Sequence, residues 1–286
     1  MNRFFLGADQ GRKRIILFKD EIRKDNILIK PSKWGFPKPP EFLKFQPTDA
    51  KRVDMRGRIS VIIATSHEVY EVPFNYKDKI TVGIAVKGCH SVEKLPDGNL
   101  ISISSKGNRI RLHYDKYAKG SYYFFNKYID YNFSFGHGVV YQKNKNVVWA
   151  LGNKLLKFLY LSGPLPSLEL IDTYTLPNRS GHDLFPMGDG NLLFTLNSGV
   201  YKFNISDQRI HQISDIRSVK SAVKSFQSGE LFLSAPNFKL GYRRWQTNTI
   251  TNLTNNTTLI KEKSKFYKVR LWEKNEFSYG SSNQFV

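Results

Sequence analysis

The chain has 286 residues, of which 40% are hydrophobic and 14% aromatic, and its formal net charge is +20. This composition suits a chain that buries a core, so it excludes a disordered protein. No apolar run is long enough to cross a bilayer, and the single cysteine, Cys89, excludes an internal disulfide bond.

Three strand-like runs separated by polar turns open the chain: FFLGAD, RIILFK and NILIKPSKW, within residues 3–34. The proline-rich residues 35–48 follow and predict a connecting loop. No window has the apolar spacing of an amphipathic helix, whereas alternation with a period of two residues is common. The sequence therefore predicts an all-β protein.

A group of short strands then recurs. In each copy a polar residue opens the first strand, and the second strand begins just after the residue that lies nine positions further along the chain. In three copies that residue is an asparagine. Repeats of roughly 40–50 residues built from short strands are typical of β-propellers. The opening residues are Asp49, His90, His137, His182 and Ser221, and the asparagines are Asn99, Asn146 and Asn191.

Two tetrapeptides inside these copies predict tight turns between the first and second strands. They are PDGN (96–99) and GDGN (188–191), in which we expect Gly98 and Gly190 to take positive φ angles. They lack the further carboxylates of a calcium loop.

The last copy predicts strands at LFLSAP, GYRRWQ and LIKEK, and FYKVRLW near the C-terminus looks like one more first strand, opened by Tyr267. The N-terminal group lacks an innermost strand, and pairing it with FYKVRLW would seal a circular array without free edges. We therefore predict one domain over residues 1–286, a six-bladed β-propeller with four-stranded blades. The predicted blades are residues 3–34 with 266–272, 49–88, 89–134, 135–180, 181–220 and 221–265.

Several segments resemble a family of bacterial propeller proteins of unknown function that is common in gut Bacteroidota and some actinobacteria. The segments are ADQGRKRIILF (8–18), HSVEKLPDGNL (90–100), HGVVY with VVWALG (137–152), GHDLFPM (181–187), VKSAV (219–223) and YKVRLW (267–272). The resemblance covers almost the whole chain, although Tyr141 stands where that family usually has tryptophan. It implies a six-bladed propeller, often encoded near carbohydrate-processing genes, and no established reaction.

In a propeller, the first residue of each innermost strand lies at one mouth of the central channel, where ligands usually bind. We therefore predict a site there with catalytic candidates His90, His137, His182 and Tyr267. Substrate-binding candidates at the same mouth are Asp49, Arg52, Ser221 and Lys220, with Lys51 and Lys268 near them. The remaining histidines, His67, His113 and His211, fall off this register and are interpreted as ordinary surface or strand residues.

Three roles suit the aligned histidines, and a structural one competes with them. His90, His137 and His182 could ligate a divalent metal ion. A histidine could act as general base or acid with Tyr267 as its partner, as in β-elimination of an acidic sugar whose carboxylate is neutralised by lysine or arginine. In the structural alternative, each polar residue hydrogen-bonds the backbone of the next blade.

The charge of +20 predicts attraction to a polyanion. We expect an anionic oligosaccharide or polysaccharide as ligand, processed by a lyase or hydrolase, because no nucleic-acid recognition motif is present. The alternative function is a non-catalytic propeller scaffold that binds a protein or a polyanion. We expect a monomer without a transmembrane segment, periplasmic or secreted if a signal peptide was removed and otherwise cytoplasmic.

Overall fold

Alternating apolar and polar residues make most of the chain extended, and in the computed structural model they form mainly antiparallel strands. The structure describes residues 3–20, 45–74, 79–236 and 243–280. The predicted strand NILIKPSKW and most of the predicted proline-rich loop lie outside the described residues. Within those ranges the one helical segment is a 3₁₀ turn at Lys143–Lys145, and no helix there is long and apolar enough to span a membrane.

The described strands are short, and they are numbered here in chain order. They are β1 (Phe4–Asp9), β2 (Arg14–Lys19), β3 (Pro47–Met55), β4 (Arg58–Thr65), β5 (Glu68–Pro73), β6 (Ile80–Ile84), β7 (Cys89–Lys94), β8 (Leu100–Ser104), β9 (Arg109–Lys119), β10 (Tyr122–Asn132), β11 (Gly138–Gln142), β12 (Val147–Leu151), β13 (Leu155–Leu161), β14 (Ser167–Tyr174), β15 (Gly181–Pro186), β16 (Leu192–Leu196), β17 (Gly199–Phe203), β18 (Ile210–Ser214), β19 (Ser221–Lys224), β20 (Leu231–Ser234), β21 (Thr249–Asn252), β22 (Thr257–Ile260) and β23 (Phe266–Leu271).

These strands form five sheets. Three sheets have four strands in sequential order, β11 to β14, β15 to β18 and β19 to β22. A fourth has the order β2-β1-β23, so the predicted pairing of the C-terminal strand with the N-terminal strands is confirmed. The fifth has eight strands in the order β3-β4-β5-β6-β10-β9-β8-β7, because β6 and β10 pair in parallel and join two consecutive four-stranded meanders.

The chain divides into two units. Unit 1 comprises residues 1–50 and 182–273, and unit 2 comprises residues 51–181 and 274–286. In unit 1, stacked and edge-on phenylalanines from β1, β2, β20 and β23 fill the space between two sheets. In unit 2, apolar side chains of β8, β9, β11, β12 and β13 form a comparable core. Burying each such large side chain stabilises the fold by about 1.5–3 kcal/mol.

Both predicted tight turns are present, with Gly98 at a φ of +90° and Gly190 at +81°. The amide of Gly98 donates to the carbonyl of Leu95 at 3.0 Å, and that of Gly190 donates to Met187 at 3.1 Å. The left-handed φ explains the glycine in each turn, because a side chain at these angles is strained.

Two motif glycines of unit 2 allow backbones to approach closely. A Cβ atom on Gly152 would lie 2.4 Å from the carbonyl oxygen of Ser134 and 2.9 Å from that of Phe135. The amide of Gly181 in turn donates to the carbonyl of Gly152 at 3.0 Å. These contacts fix the loop that leads to His137.

The predicted third strand at GYRRWQ is wrong for residues 243–246, and its first two residues lie outside the described residues. Residues 243–246 form a turn in which the amide of Gln246 donates to the carbonyl of Arg243 at 2.9 Å, and the third strand of that sheet is β21. The side chains of Trp245 and Gln246 both donate to Oε1 of Gln10, at 3.0 and 2.9 Å. These bonds hold the segment against the turn between β1 and β2 and not in the sheet.

Candidate functional site

Side chains on β3, β15 and β23 form a buried ionic cluster in unit 1. Arg270 on β23 donates from Nη1 and Nη2 to the carboxylate of Asp183 on β15, at 2.5 and 2.6 Å. Its Nε and Nη2 also donate to the carboxylate of Asp49, at 3.1 and 3.2 Å. None of these three side chains is more than 1% exposed. One guanidinium therefore binds two carboxylates, the geometry for which arginine is suited.

Lys268 completes the cluster, with its Nζ 3.1 Å from Oδ1 of Asp183 and 3.9 Å from Oδ2 of Asp49. Burial alone would raise the pKa of Asp183, but the charges of Arg270 and Lys268 hold it below its usual value. Burial opposes the charge on Arg270 as well, and the two carboxylates outweigh it, so its pKa is raised. Burial lowers the pKa of Lys268 in spite of the same carboxylates.

Lys220 and His182 lie beside this cluster. The Nζ of Lys220 is 3.0 Å from Nε2 of His182, and the same Nε2 is 2.6 Å from Oδ1 of Asn197. Burial, and then the charge of Lys268, lower the pKa of Lys220 to about 8. Burial, and then the charge of Lys220, lower the pKa of His182 to about 4. At neutral pH the pair is therefore a cationic lysine beside a neutral imidazole.

Two contacts of His182 bear on the tautomer of its ring. Nε2 faces both the ammonium group of Lys220, which can only donate, and Oδ1 of Asn197, which can only accept, so either tautomer of the neutral ring satisfies one of these two contacts. Contacting residues with perturbed pKa values are common at functional sites, although structural ion pairs perturb pKa values as well.

Two further predicted residues of unit 1 join the same strands. The hydroxyl of Ser221 lies 2.6 Å from that of Ser234 and accepts from the amide of Val269 at 2.9 Å, which ties β19 to β23. Tyr267 is 4% exposed, and burial, followed by the charges of Asp183 and Asp49, raises the pKa of its phenol. Tyr267 therefore stays protonated at neutral pH.

In unit 2 the structure brings His90 and His137 together. Their rings are stacked, with centroids 4.2 Å apart and planes 17° from parallel. Nδ1 of His137 lies 2.9 Å from the carbonyl oxygen of Phe135, and the Phe135 ring contacts His137 with centroids 4.3 Å apart. His137 is 5% exposed. Its ring is thus fixed by its own loop, which favours a structural role for this histidine.

The other predicted cations of unit 2, Lys51 and Arg52, form ion pairs with carboxylates of the protein itself. Lys51 is 2% exposed and donates to Oε2 of Glu93 at 3.0 Å and to the carbonyl of Val139 at 2.7 Å. Arg52 forms a two-point ion pair with Asp54, at 2.9 and 2.7 Å. Lys51 therefore links β3, β7 and β11 of unit 2.

The predicted site residues are divided between the two units: His90, His137 and Arg52 belong to unit 2, whereas Asp49, His182, Lys220, Ser221 and Tyr267 belong to unit 1. Among the described residues, no three histidine, cysteine, aspartate or glutamate side chains are arranged to hold a metal ion. The site of His90, His137 and His182 for a divalent metal therefore stays a prediction without support from these residues.

Sequence reasoning missed Asp183 and Arg270, the centre of the unit 1 cluster. A signal was available, because each is a charged residue next to apolar residues within a predicted strand, in HDLFP and YKVRL. A buried charge in such a strand requires a partner of opposite charge.

The chain belongs to a family of unknown function, DUF6528, whose model matches residues 2–286. The resemblance to an uncharacterised family inferred from the sequence motifs is confirmed. No curated protein matches the sequence.

Several solved structures are similar to this chain. A protein of unknown function from Bacteroides caccae is 11% identical, with 98% of this chain and 96% of that chain covered at a TM-score of 0.57. A proposed 6-phosphogluconolactonase from Bacteroides uniformis is 13% identical, with 94% and 99% covered at a TM-score of 0.50. The WD40 β-propeller domain of Doa1 is 16% identical, with 66% and 56% covered at a TM-score of 0.43. At these identities the likeness concerns the fold alone.

Proposed function

We propose that the chain is a six-bladed β-propeller that binds an anionic oligosaccharide beside the buried ionic cluster of unit 1, where Lys220 contacts a carboxylate of the ligand. The sheet order supports the blade count: the eight-stranded sheet consists of two four-stranded meanders, and the other four sheets would each supply one blade. The blade closed by β23 has three described strands. In this proposal residues 1–286 form one domain.

The charge at Lys220 is the observation that carries the proposal. Among the described residues, the cluster and the adjoining Lys220 together hold three cations, Lys220, Lys268 and Arg270, and two carboxylates, Asp49 and Asp183. Arg270 and Lys268 already bind both carboxylates. The described residues place His182, and no carboxylate, within ion-pair distance of Lys220. A carboxylate brought by a ligand would balance the surplus charge and stabilise the ammonium form of Lys220.

A lyase activity is the second candidate, and the depressed pKa of Lys220 favours it. With a pKa of about 8, about a tenth of the lysine is a neutral amine at pH 7. That amine could remove the proton on the carbon next to the carboxylate of an acidic sugar. The electron pair left on carbon would form a double bond as the bond to the neighbouring glycosidic oxygen breaks, and that oxygen would take up a proton.

Binding is tested by calorimetry with a galacturonic acid trisaccharide and, as the neutral comparison, maltotriose. We expect the wild-type protein to bind the acidic sugar only, and Lys220→Met to weaken binding at least tenfold. Lys202→Met is the matched control, because Lys202 is a surface lysine of unit 1 paired with Asp189 at 2.9 Å. Equal binding by the Lys220→Met and control proteins would refute the proposal.

Turnover is tested separately, by the ultraviolet absorbance of the double bond that elimination creates. Absorbance that grows with the wild-type protein and not with Lys220→Met supports the lyase. Binding without any product would leave a non-catalytic propeller that binds a polyanion, the alternative function drawn from the sequence.

A further inference from the structure

A cavity of about 380 Å³ opens in unit 2, where the ends of β3 and β7 meet the outer strands β6, β9 and β10. This volume lies in the range of small-molecule sites, about 300–1,000 Å³. No residue predicted as a site residue from the sequence lines it. Among the described residues, its charged lining comprises five cations and two carboxylates: Arg56, Arg58, Lys79, Lys94, Lys116, Glu71 and Asp97.

Both carboxylates of the lining already have partners inside the protein. Glu71 binds Lys94 and accepts from the hydroxyl of Ser60 at 2.9 Å. Asp97 accepts from the phenol of Tyr160 and from Nδ2 of Asn99. Lys94 is therefore paired with a carboxylate, whereas Arg56, Lys79 and Lys116 make no ion pair with a carboxylate among the described residues.

Lys116 lies at the edge of this cavity, on β9. Its Nζ donates to the carbonyl of Gly98 at 3.1 Å and lies 5.7 Å from the centroid of the Phe125 ring. The side chain as a whole is exposed, but its ammonium group lies against the cavity wall, and this partial burial lowers its pKa. The charges of Glu71 and Asp97 oppose this shift of the pKa, and the charges of Lys94 and Arg56 act in the same direction as burial.

Arg56 reaches the cavity from the turn between β3 and β4. Its φ is +52° and that of Gly57 is +69°, the pattern of a tight hairpin turn whose first central position usually holds asparagine, aspartate or glycine. Its Nη2 donates to the carbonyl of Pro96 at 3.3 Å. Arginine at this position places a guanidinium fork at the rim, where it can bind a carboxylate or sulfate at two points.

Tyr123 supplies an aromatic wall. It lies on β10 beside the parallel pairing with β6, it is 39% exposed, and the Nζ of Lys79 is 5.4 Å from its ring centroid. An exposed aromatic ring next to cations suits a ligand that has both an apolar face and anionic groups. A sugar ring that carries carboxylate or sulfate groups has both.

We propose that this cavity is a second ligand site, which binds an acidic sugar with its ring on Tyr123 and its anionic groups between Arg56 and Lys116. The inference stands on the geometry of unit 2 and does not depend on the site proposed at Lys220. The bound sugar would raise the pKa of Lys116, because an anion beside an ammonium group stabilises its charged form.

The experiment measures binding of three probes by calorimetry: the galacturonic acid trisaccharide, a sulfated disaccharide and inorganic sulfate. Arg56→Gln, Lys116→Gln and Tyr123→Ala are compared with Lys127→Gln, whose exposed lysine on β10 pairs with Asp115. We expect each of the three cavity variants to bind the saccharide that the wild-type protein prefers at least tenfold more weakly. The affinity of the control variant should stay within twofold of the wild-type value. All variants are also made in the Lys220→Met protein, so that each of the two proposals can fail alone.

Acetic anhydride labelling of the unaltered protein gives a measurement that does not depend on the folding of a variant. We expect the saccharide, but not sulfate at the same concentration, to protect Lys79 and Lys116 from acetylation. Equal protection by sulfate would refute sugar recognition. Labelling that the saccharide does not change, or cavity variants that bind like Lys127→Gln, would overturn the site.

Discussion

Arg270 and Asp183 form a two-point ion pair at 2.5 and 2.6 Å that is almost completely buried, and the same guanidinium also binds Asp49. The pair joins β23 to β15, so electrostatic attraction as well as packing holds β23 in unit 1. The same strand carries Lys268, which sets the electrostatic environment of Lys220.

Replacing Arg270 by methionine should destabilise the protein by about 3–5 kcal/mol, because two buried carboxylates would lose their main partner. Urea unfolding at pH 7 measures the loss. Arg209→Met, at an exposed arginine of the same unit, is the control and should change stability by less than about 0.5 kcal/mol. A loss below about 1 kcal/mol for Arg270→Met would mean that the cluster is hydrated and not buried.

Acid should destabilise the protein in part through His113. This histidine is 1% exposed and lies 2.9 Å from the hydroxyl of Ser102, and burial, followed by the charge of Arg111, lowers its pKa from 6.5 to about 3. A histidine with a lowered pKa binds fewer protons in the folded state than in the unfolded state. The contribution of neutral His113 to the free energy of unfolding is therefore fully present above pH 6.5, and it is lost as the pH falls from 6.5 towards 3.

In the variant His113→Gln this part of the pH dependence should disappear, a difference on the order of 3 kcal/mol between pH 6.5 and pH 4. Urea unfolding at four pH values and constant ionic strength measures the slope. Replacing the exposed His211 by glutamine controls for the general effect of removing a histidine. An unchanged slope in His113→Gln would show that His113 is accessible to protons in the folded state.

Gly152→Ala should destabilise unit 2 by about 1–3 kcal/mol, because the added methyl group would collide with two backbone carbonyls that cannot rotate away. Gly188→Ala is the milder comparison, since its Cβ would lie 3.3 Å from the nearest atom, a ring carbon of Phe226. Thermal unfolding of both variants ranks them. Equal stability would show that the backbone near Ser134 moves freely.

The positions of the inner strands could be predicted from the sequence, because turn chemistry and apolar runs are local signals. Asn99, Asn146 and Asn191 each directly precede a second strand, as the repeat predicted, and the strand pairing β1 with β23 follows from counting strands. The third strand of the last sheet could not be found, since the bonds of Trp245 and Gln246 to Gln10 join residues about 235 positions apart.

The candidate sites show the same limit. The alignment of opening residues pointed to His182 and Asp49, and to Lys220 beside them. It did not predict that Arg270 would form an ion pair with Asp49, because no local pattern in the sequence shows which charged residues come into contact. His113 looked ordinary by its position in the repeat and is fully buried. The cavity of unit 2 could not be predicted, since its cations come from β4, β7, β9, the turn before β4 and the residue before β6. The parallel pairing of β6 with β10, which brings Tyr123 beside the cavity, has no local signal.

The central claim is that the ammonium group of Lys220 binds the carboxylate of a ligand, and the pH dependence of binding tests it most directly. Calorimetry with the galacturonic acid trisaccharide between pH 6.5 and 9.5 is compared for the wild-type protein and Lys220→Arg. We expect wild-type affinity to fall at least tenfold as the pH rises through about 8, the pKa of Lys220, and Lys220→Arg to keep most of its affinity, since arginine stays charged. Wild-type affinity that stays constant over this range, or that falls equally in Lys220→Arg, would contradict the account.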